Sequence, residues 1–342
     1  MSGESLVFWM LWAAIPVGAA LLCVALIVVL LPLLARYALA QPNARSSHKI
    51  PTPQGGGIAV VAATLAVSGC VLVLPAASIT SATPLLIVFA ATLVIAGIGV
   101  AADLHPINVT PRLLLQTLAI AAAIYTLPEG FRVLPILPWW VECVALVVGG
   151  VWFVNLVNFM DGLDWMTVAE IVPITAALTV IGLFGILPLD AMVVSLALCG
   201  AMIGFAFFNR PVARLFLGDV GSLPIGLLVG WLLVLLAGNG GRAAAILLPL
   251  YYVADSTITL FRRASAGEQV WQAHRSHFYQ RATDKGFSVI EVVARVFAVN
   301  VALAELALTT ILLPSRAMDV AALAVGVTIV AWLLFALSQG RS

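Results

Sequence analysis

The feature that most restricts this chain is a succession of apolar runs, each close to the length at which a helix crosses a bilayer. About 20 helical residues cover the hydrocarbon core. About eleven such runs can be marked, at roughly 6–35, 56–77, 84–102, 112–128, 137–157, 167–187, 190–208, 220–238, 243–261, 288–313 and 318–338. The sixth and seventh are parted only by Leu187-Pro188-Leu189-Asp190. Lipid offers no hydrogen-bond partner to exposed backbone, so only helices and closed barrels cross it, and runs of this length specify helices. The expected fold is all-α: a polytopic membrane protein of about 11 transmembrane helices, read as a single domain over residues 1–342. With 63% hydrophobic and 9% charged residues, the chain has too little polar surface to coat a soluble core. The run from Leu6 to Ala40 is too long for a signal-peptide core, and only Glu4 is charged ahead of it; it reads as a retained first helix.

Orientation follows from the basic residues, because short cytoplasmic loops keep Lys and Arg. On one side fall Arg36, Arg45, Lys49, Arg112, Arg210, Arg214, Arg262, Arg263, Arg275, Arg281, Lys285 and Arg341; the other holds only Arg132, Arg242 and Arg316. The N-terminus is therefore expected on the periplasmic side and the C-terminus in the cytoplasm. All four histidines (His48, His105, His274 and His277) and Asp103, Asp161, Asp164 and Asp219 lie on the basic side. A pure channel would place polar groups along its midplane, and few stand there. A transporter fits the span count, but no internal repeat of the transporter kind is evident. Cys23, Cys70, Cys143 and Cys199 all fall inside apolar runs and read as small core residues, not as a disulfide framework or a thiolate metal site. Nothing in the charge pattern suggests nucleic acid as a partner.

Five loops on the basic side could carry chemistry. The first, Arg45-Ser-Ser-His48-Lys-Ile-Pro51-Thr-Pro53-Gln-Gly55-Gly56-Gly57, reads either as a phosphate-attracting loop, with His48 in its basic half and glycine N–H groups at a helix start, or as a rigid helix entry. In the second, Asp103 precedes His105 by two residues and Pro111-Arg112 follows; Asp103 is either a base or metal-water anchor or a solvated helix end. The third, Asn155-Leu-Val-Asn158-Phe-Met-Asp161-Gly162-Leu-Asp164, puts two Asn and two Asp in ten residues of otherwise apolar chain, a costly arrangement in lipid unless they face a polar cavity. Gly162 is expected to end the helix, so that Asn155, Asn158 and Asp161 share a face while Asp164 turns back.

The fourth, Phe216-Leu-Gly218-Asp219-Val-Gly221-Ser222, flanks an acid with glycines at a helix start. Phosphate and Mg²⁺ can approach such a carboxylate closely, since Mg²⁺ takes one or two carboxylates and completes its shell with water and phosphate oxygens; the alternative is a plain N-cap. The fifth contains His274, Arg275, His277 and Arg281, which suit a nucleotide diphosphate; a zinc reading lacks a third ligand at a recognised spacing. Asp255, just upstream, either pairs with an Arg or faces the cavity.

In order and in shared membrane side, these segments resemble the polyprenyl-phosphate N-acetylhexosamine-1-phosphate transferases (glycosyltransferase family 4). That group includes enzymes initiating O-antigen and, more distantly, the phospho-MurNAc-pentapeptide transferase of peptidoglycan synthesis. The resemblance spans about Arg45 to Arg281 and rests on SHKIPTPQGGG, AADLHPINVTPRLLLQ, NLVNFMDGLDWM, FLGDVGS and HRSHFYQR. It implies a bacterial inner-membrane enzyme with a cytoplasm-facing site. Such an enzyme moves an N-acetylhexosamine 1-phosphate from a UDP-sugar to undecaprenyl phosphate and releases UMP. By the same resemblance Asp103 is the second member of an Asp pair that contacts the lipid phosphate or acts as base. Asn158, Asp161 and Asp164 line the pocket, Asp219 ligates Mg²⁺ (or Mn²⁺), and His274, Arg275 and His277 bind the nucleotide-sugar. The oligomeric state stays open between monomer and homodimer.

The clearest departure from that pattern is Ala102, which stands where the family usually has the first Asp; the last loop also differs, with His274 for an Asp and Tyr279 for a later His. A polyprenyl phosphate has a second pKa near 6, as phosphate monoesters do, and so needs positioning more than deprotonation. A non-catalytic lipid-phosphate binder is the alternative that would also fit Ala102.

Overall fold

The computed structural model describes residues 3–40, 50–73, 83–105, 107–269 and 275–339; His48 and His274 fall outside them. The described residues form thirteen helices and one antiparallel pair of two-residue strands. In order these are α1 (Gly3–Tyr37), β1 (Leu39–Ala40), β2 (Thr52–Pro53), α2 (Gly57–Leu72), α3 (Thr83–Leu104), α4 (Val109–Tyr125), α5 (Trp139–Met160), α6 (Met166–Leu183) and α7 (Leu189–Asn209). They are followed by α8 (Asp219–Gly238), α9 (Arg242–Leu247), α10 (Leu250–Ser265), α11 (Phe278–Asp284), α12 (Val289–Leu312) and α13 (Arg316–Gln339).

Helices α1, α3, α5, α6, α7, α8 and α13 are long and apolar enough to cross a membrane, and the chain is a polytopic membrane protein. The other four expected runs are helical as well. Two, α2 and α4, are apolar but shorter, and α12 carries Glu291, Arg295 and Glu305. The run expected over 243–261 departs from a single helix: it is broken into α9 and α10 at Leu248-Pro249. Pro249 has no N–H to donate, and its ring displaces the carbonyl four residues back, so the chain turns there and restarts.

Helix α8 is the axis of the bundle. The apolar window of α8 is 89% buried, against 17% for α1 and 22% for α5. It packs on α3 and α5, while α7 packs on α1, α2 and α6, and α12 on α6 and α13. Outer helices present Leu21, Val29, Val148, Trp332 and Phe335 outward, as a lipid-facing surface does. Small residues admit the closest approaches inside. A Cβ on Gly57 would lie 2.1 Å from the Cα of Gly221, so the first turns of α2 and α8 touch backbone to backbone. At the opposite end of the bundle, buried Glu142 accepts from Arg132 Nε at 2.5 Å and from the N–H groups of Val133 and Leu134.

Candidate active site

The site forms where α8 begins. Gly218 enters the helix at φ +78°, in the left-handed region that favours glycine, and a Cβ there would stand 2.6 Å from Asp103 Oδ2. On α3, a Cβ at Gly99 would lie 2.5 Å from the Asp219 carbonyl oxygen, so the two helices cross in contact. Asp103, one turn further along α3, is thereby brought against the start of α8. Its Oδ1 accepts the Asp219 N–H at 2.9 Å and its Oδ2 the Val220 N–H at 3.1 Å. First-turn N–H groups have no partner within a helix, and a carboxylate there also complements the helix dipole.

The glycine-rich half of the first loop is stitched to the same place. Gln54 Nε2 donates to the Asp103 carbonyl at 2.8 Å. The N–H groups of Gly55 and Gly56 donate to the Phe216 carbonyl, and Phe216 N–H donates back to Pro53.

Asp219 faces Arg112, from the first turn of α4, with Nη1 3.0 Å from Oδ2. Asn158, near the end of α5, closes a triangle. Its Oδ1 accepts from Arg112 Nη2 at 3.1 Å, and its Nδ2 donates to Asp219 Oδ1 at 2.7 Å and to Ser222 Oγ at 2.9 Å. Asn155 and Asn158 share the face of α5 turned to α4: Asn158 takes Arg112, and Asn155, about one turn back, donates to Gln116 Oε1 at 2.8 Å, outside the cavity, while Asp161 stands at the end of the helix.

Helix α5 ends at Met160 with Asp161 as its C-cap, and Asp164 does turn back. Buried Asp164 accepts the Ala213 N–H at 2.9 Å. Trp165, at φ +63° in a region few non-glycine residues adopt, is held there by its own hydrogen bonds. Its N–H goes to Asn209 Oδ1 at 2.8 Å and its indole Nε1 to the Ala206 carbonyl at 2.7 Å. Thr167 donates to Asp161 Oδ1. Burial pushes the Asp161 carboxyl up to about 7, the Thr167 hydroxyl pulling it back down and the nearby charges of Asp219 and Asp103 adding to the rise.

These groups enclose a cavity of ≈ 230 Å³ lined with side-chain oxygens and amides from Gln54, Asp103, Asn158, Asp161, Asp164, Asn209 and Asp219. A second cavity of ≈ 270 Å³, walled by Leu33, Leu34, Ile58, Val100 and Leu104, shares Gln54 and Asp103 with it. An apolar space thus opens beside the polar one.

Of the residues singled out from sequence, Asp103, Asn158, Asp161, Asp164 and Asp219 come together here. Arg275, His277 and Arg281 do not line the cavity. His277 is buried, its Nδ1 3.1 Å from Asp255 Oδ1, and Arg275 pairs with Asp284 at 3.1 Å. Asp255 neither pairs with an Arg nor faces the cavity; it accepts from His277, from the N–H groups of Phe278 and Tyr279, and from Tyr251 and Thr259. Gln54, Arg112 and Asn209 carry weight that the sequence reading did not assign them. For Arg112 the signal was present: it is the lone cation between apolar runs, and such a charge calls for a partner.

Comparison with known proteins bears on what this arrangement does. Residues 85–237 match the model of the family described as glycosyl transferase family 4, a stretch from α3 to α8 that contains every acid lining the cavity. The chain is 28% identical over 295 residues to the decaprenyl-phosphate N-acetylglucosaminephosphotransferase of Mycobacterium leprae, covering 76% of this chain and 73% of that one. It is 24% identical over 303 residues to a probable undecaprenyl-phosphate N-acetylglucosaminyl 1-phosphate transferase of Bacillus subtilis, with 80% of each chain covered. Over 126 residues it is 31% identical to the phospho-N-acetylmuramoyl-pentapeptide-transferase of Latilactobacillus sakei, covering 37% of this chain and 38% of that one. These similar proteins are named as sugar-phosphate transferases, and the matched stretch holds the helices that build the carboxylate-lined cavity. Over residues 85–237 the chain is similar to glycosyl transferase family 4.

Proposed function

We propose that this protein transfers an N-acetylhexosamine 1-phosphate, or a 6-deoxy variant, from a UDP-sugar to undecaprenyl phosphate, as a first step of a surface polysaccharide such as O-antigen. The observation that carries the reading is the meeting of Asp103, Asn158, Asp161, Asp164 and Asp219, drawn from three separate loops, around one polar cavity that adjoins an apolar one. A phosphate ester on an apolar chain needs both surfaces side by side. The names of the similar transferases point to the same chemistry. The basic residues of the loops that build the cavity support, by the positive-inside rule, a site at the cytoplasmic face of the inner membrane.

The donor set suits Mg²⁺ in kind. Among the described residues the cavity is lined by carboxylate and amide oxygens and by no thiolate or imidazole. Among the described residues no group of three or more His, Cys, Asp or Glu is placed to hold an ion, and Mg²⁺ uses only one or two carboxylates beside water and phosphate oxygens. Asp219, with Asp161 across the cavity, would hold it, and when bound it would neutralise charge on the diphosphate. Asp103 is committed through both oxygens to the start of α8. In this arrangement it positions Asp219 and does not serve as a free base. Arg112 supplies a fixed positive charge beside Asp219, and Asn158 fixes the geometry of both. The lipid phosphate, ionised near neutral pH, attacks the β-phosphorus of the UDP-sugar; the new P–O bond forms as the bond to UMP breaks, and UMP leaves with that electron pair.

The test is UMP release by the purified protein given undecaprenyl phosphate, Mg²⁺ and a panel of UDP-N-acetylhexosamines, with Asp219→Ala as control. Lipid-dependent release that the control abolishes establishes the reaction and names the sugar. Lipid binding without release from any sugar would replace it with the binder reading that Ala102 also fits.

A further inference from the structure

Helices α4 and α5 meet along a seam that begins at the site and runs on into the bundle. Residues four apart on a helix share a face, and Arg112, Gln116 and Ile120 follow one another along α4 in this way. The first rung of the seam is Arg112 with Asn158 at 3.1 Å. The second is Gln116, whose Oε1 accepts from Asn155 Nδ2 at 2.8 Å; the same nitrogen donates to the Val151 carbonyl at 2.8 Å within α5. At the third, a Cβ on Gly150 would lie 2.7 Å from Ile120 Cγ2, so the absence of a side chain there lets α4 close onto α5.

The second rung lies outside the polar cavity, which neither Gln116 nor Asn155 lines. Gln116 is 0% exposed, and its Nε2 has no hydrogen-bond partner among the described residues. A buried donor without a partner is costly, and a leucine of similar size would fill the place without that cost. What the amide adds is the bond to Asn155, and with it a fixed register between α4 and α5 one turn from Arg112. Arg112 depends on that register. Its guanidinium divides between Asp219 at 3.0 Å and Asn158, so a slide or rotation of α4 takes it off both. The start of α4 supplies no fastening of its own, because the side chain of its N-cap residue, Asn108, makes no capping hydrogen bond, and uncapped helix ends fray.

We propose that Gln116 and Asn155 are positioning residues for Arg112. Their amide pair holds α4 against α5 so that the guanidinium spans Asp219 and Asn158, one turn away from the pair itself. The proposal rests on the transferase reading above for its kinetic arm, and on the fold alone for its reactivity arm.

The experiment compares wild type with Gln116→Leu, Asn155→Leu and the double variant, all purified in detergent. It measures Tm, UMP release, and the rate at which the arginine-selective reagent phenylglyoxal modifies Arg112, read by mass spectrometry. Each single variant is expected to lower Tm, because it leaves the other amide without its partner. Each also lowers kcat/KM by about tenfold, the fold-change equivalent to about 1.4 kcal/mol, and Arg112 reacts faster than in wild type. Replacing both partners by apolar groups removes the stranded amide, so the double variant regains Tm. Its register is still lost: kcat/KM stays at the level of the singles, as for residues acting as one unit, and Arg112 stays reactive. Activity that returns together with Tm in the double variant, or Arg112 modified at the wild-type rate in every variant, would overturn the proposal and leave the pair a packing contact. If wild type itself releases no UMP, the transferase reading fails, and the phenylglyoxal arm still decides whether the pair sets Arg112.

Discussion

Arg112 and Asp219 form an ion pair, Nη1 to Oδ2 at 3.0 Å, and Asn158 is hydrogen-bonded to both members. The guanidinium uses two nitrogens on two different partners, a geometry that a lysine ammonium cannot copy. Arg112→Lys keeps the charge and loses the fork. Hydrogen bonds to charged groups contribute about 1.5–3 kcal/mol, so we expect kcat/KM to fall by about tenfold or more, and Arg112→Ala to fall further. Steady-state UMP release measures both, and equal activity of the Lys variant and wild type would show that only the charge matters.

Gly218→Ala tests the entry to α8. The substitution places a Cβ 2.6 Å from Asp103 Oδ2 at φ +78°, and strained backbone of this kind costs roughly 1–3 kcal/mol. A lowered Tm in detergent, with loss of activity out of proportion to the loss of fold, is the expected outcome. A variant as active and as stable as wild type would mean that Asp103 does not need its two N–H donors.

Asp161 gives a pH dependence with a definite sign. Burial holds its carboxyl up at about 7, against 3.8 for the ordinary group, so the folded protein disfavours the ionised form. Below pH 3.8 the carboxyl is protonated folded or unfolded and has no effect. Between 3.8 and 7 the unfolded chain ionises first, and stability falls as pH rises; above 7 the full cost is present. Asp161→Asn is therefore expected to raise Tm relative to wild type at pH 8 and to lose that advantage near pH 4. Melting curves at the two pH values decide it, and a constant difference between variant and wild type would argue against the buried carboxyl as the source.

Removing divalent cations tests the donor set. We expect a chelator to abolish UMP release and Mg²⁺ or Mn²⁺ to restore it. The concentration for half-restoration should rise at least tenfold in Asp219→Glu, whose longer side chain displaces the carboxylate. Full activity in chelator would remove the metal from the reading.

The helical membrane architecture was legible because the 20-residue apolar period is imposed by bilayer thickness alone, and among the described residues each run contains a helix, the one over 243–261 in two pieces. The break at Leu248-Pro249 was not read, although Pro249 was visible: proline within a membrane helix is often accommodated by neighbouring helices, and the local pattern does not say whether it will be. The acids of the cavity were legible because polar residues in apolar surroundings need a reason. Their partners were not, since Arg112 to Asp219 and Asp103 to Val220 are contacts between helices that the local pattern does not encode. The surroundings of the histidine segment were not legible for a related reason: Asp255, buried on another helix, bonds to His277, a contact that the local pattern does not encode.

The way Asp103 engages α8 has a further consequence. A helix start is a natural seat for an incoming anion, and in this protein that seat is already taken by one of its own carboxylates. A phosphoryl group entering the cavity meets no vacant backbone cradle at α8, so its negative charge has to be balanced by cations, whether the guanidinium of Arg112 or an ion carried in with the substrate. The counter-charge for that group is then a matter of side chains and accompanying ions, and the backbone dipoles at the start of α8 take no share in it.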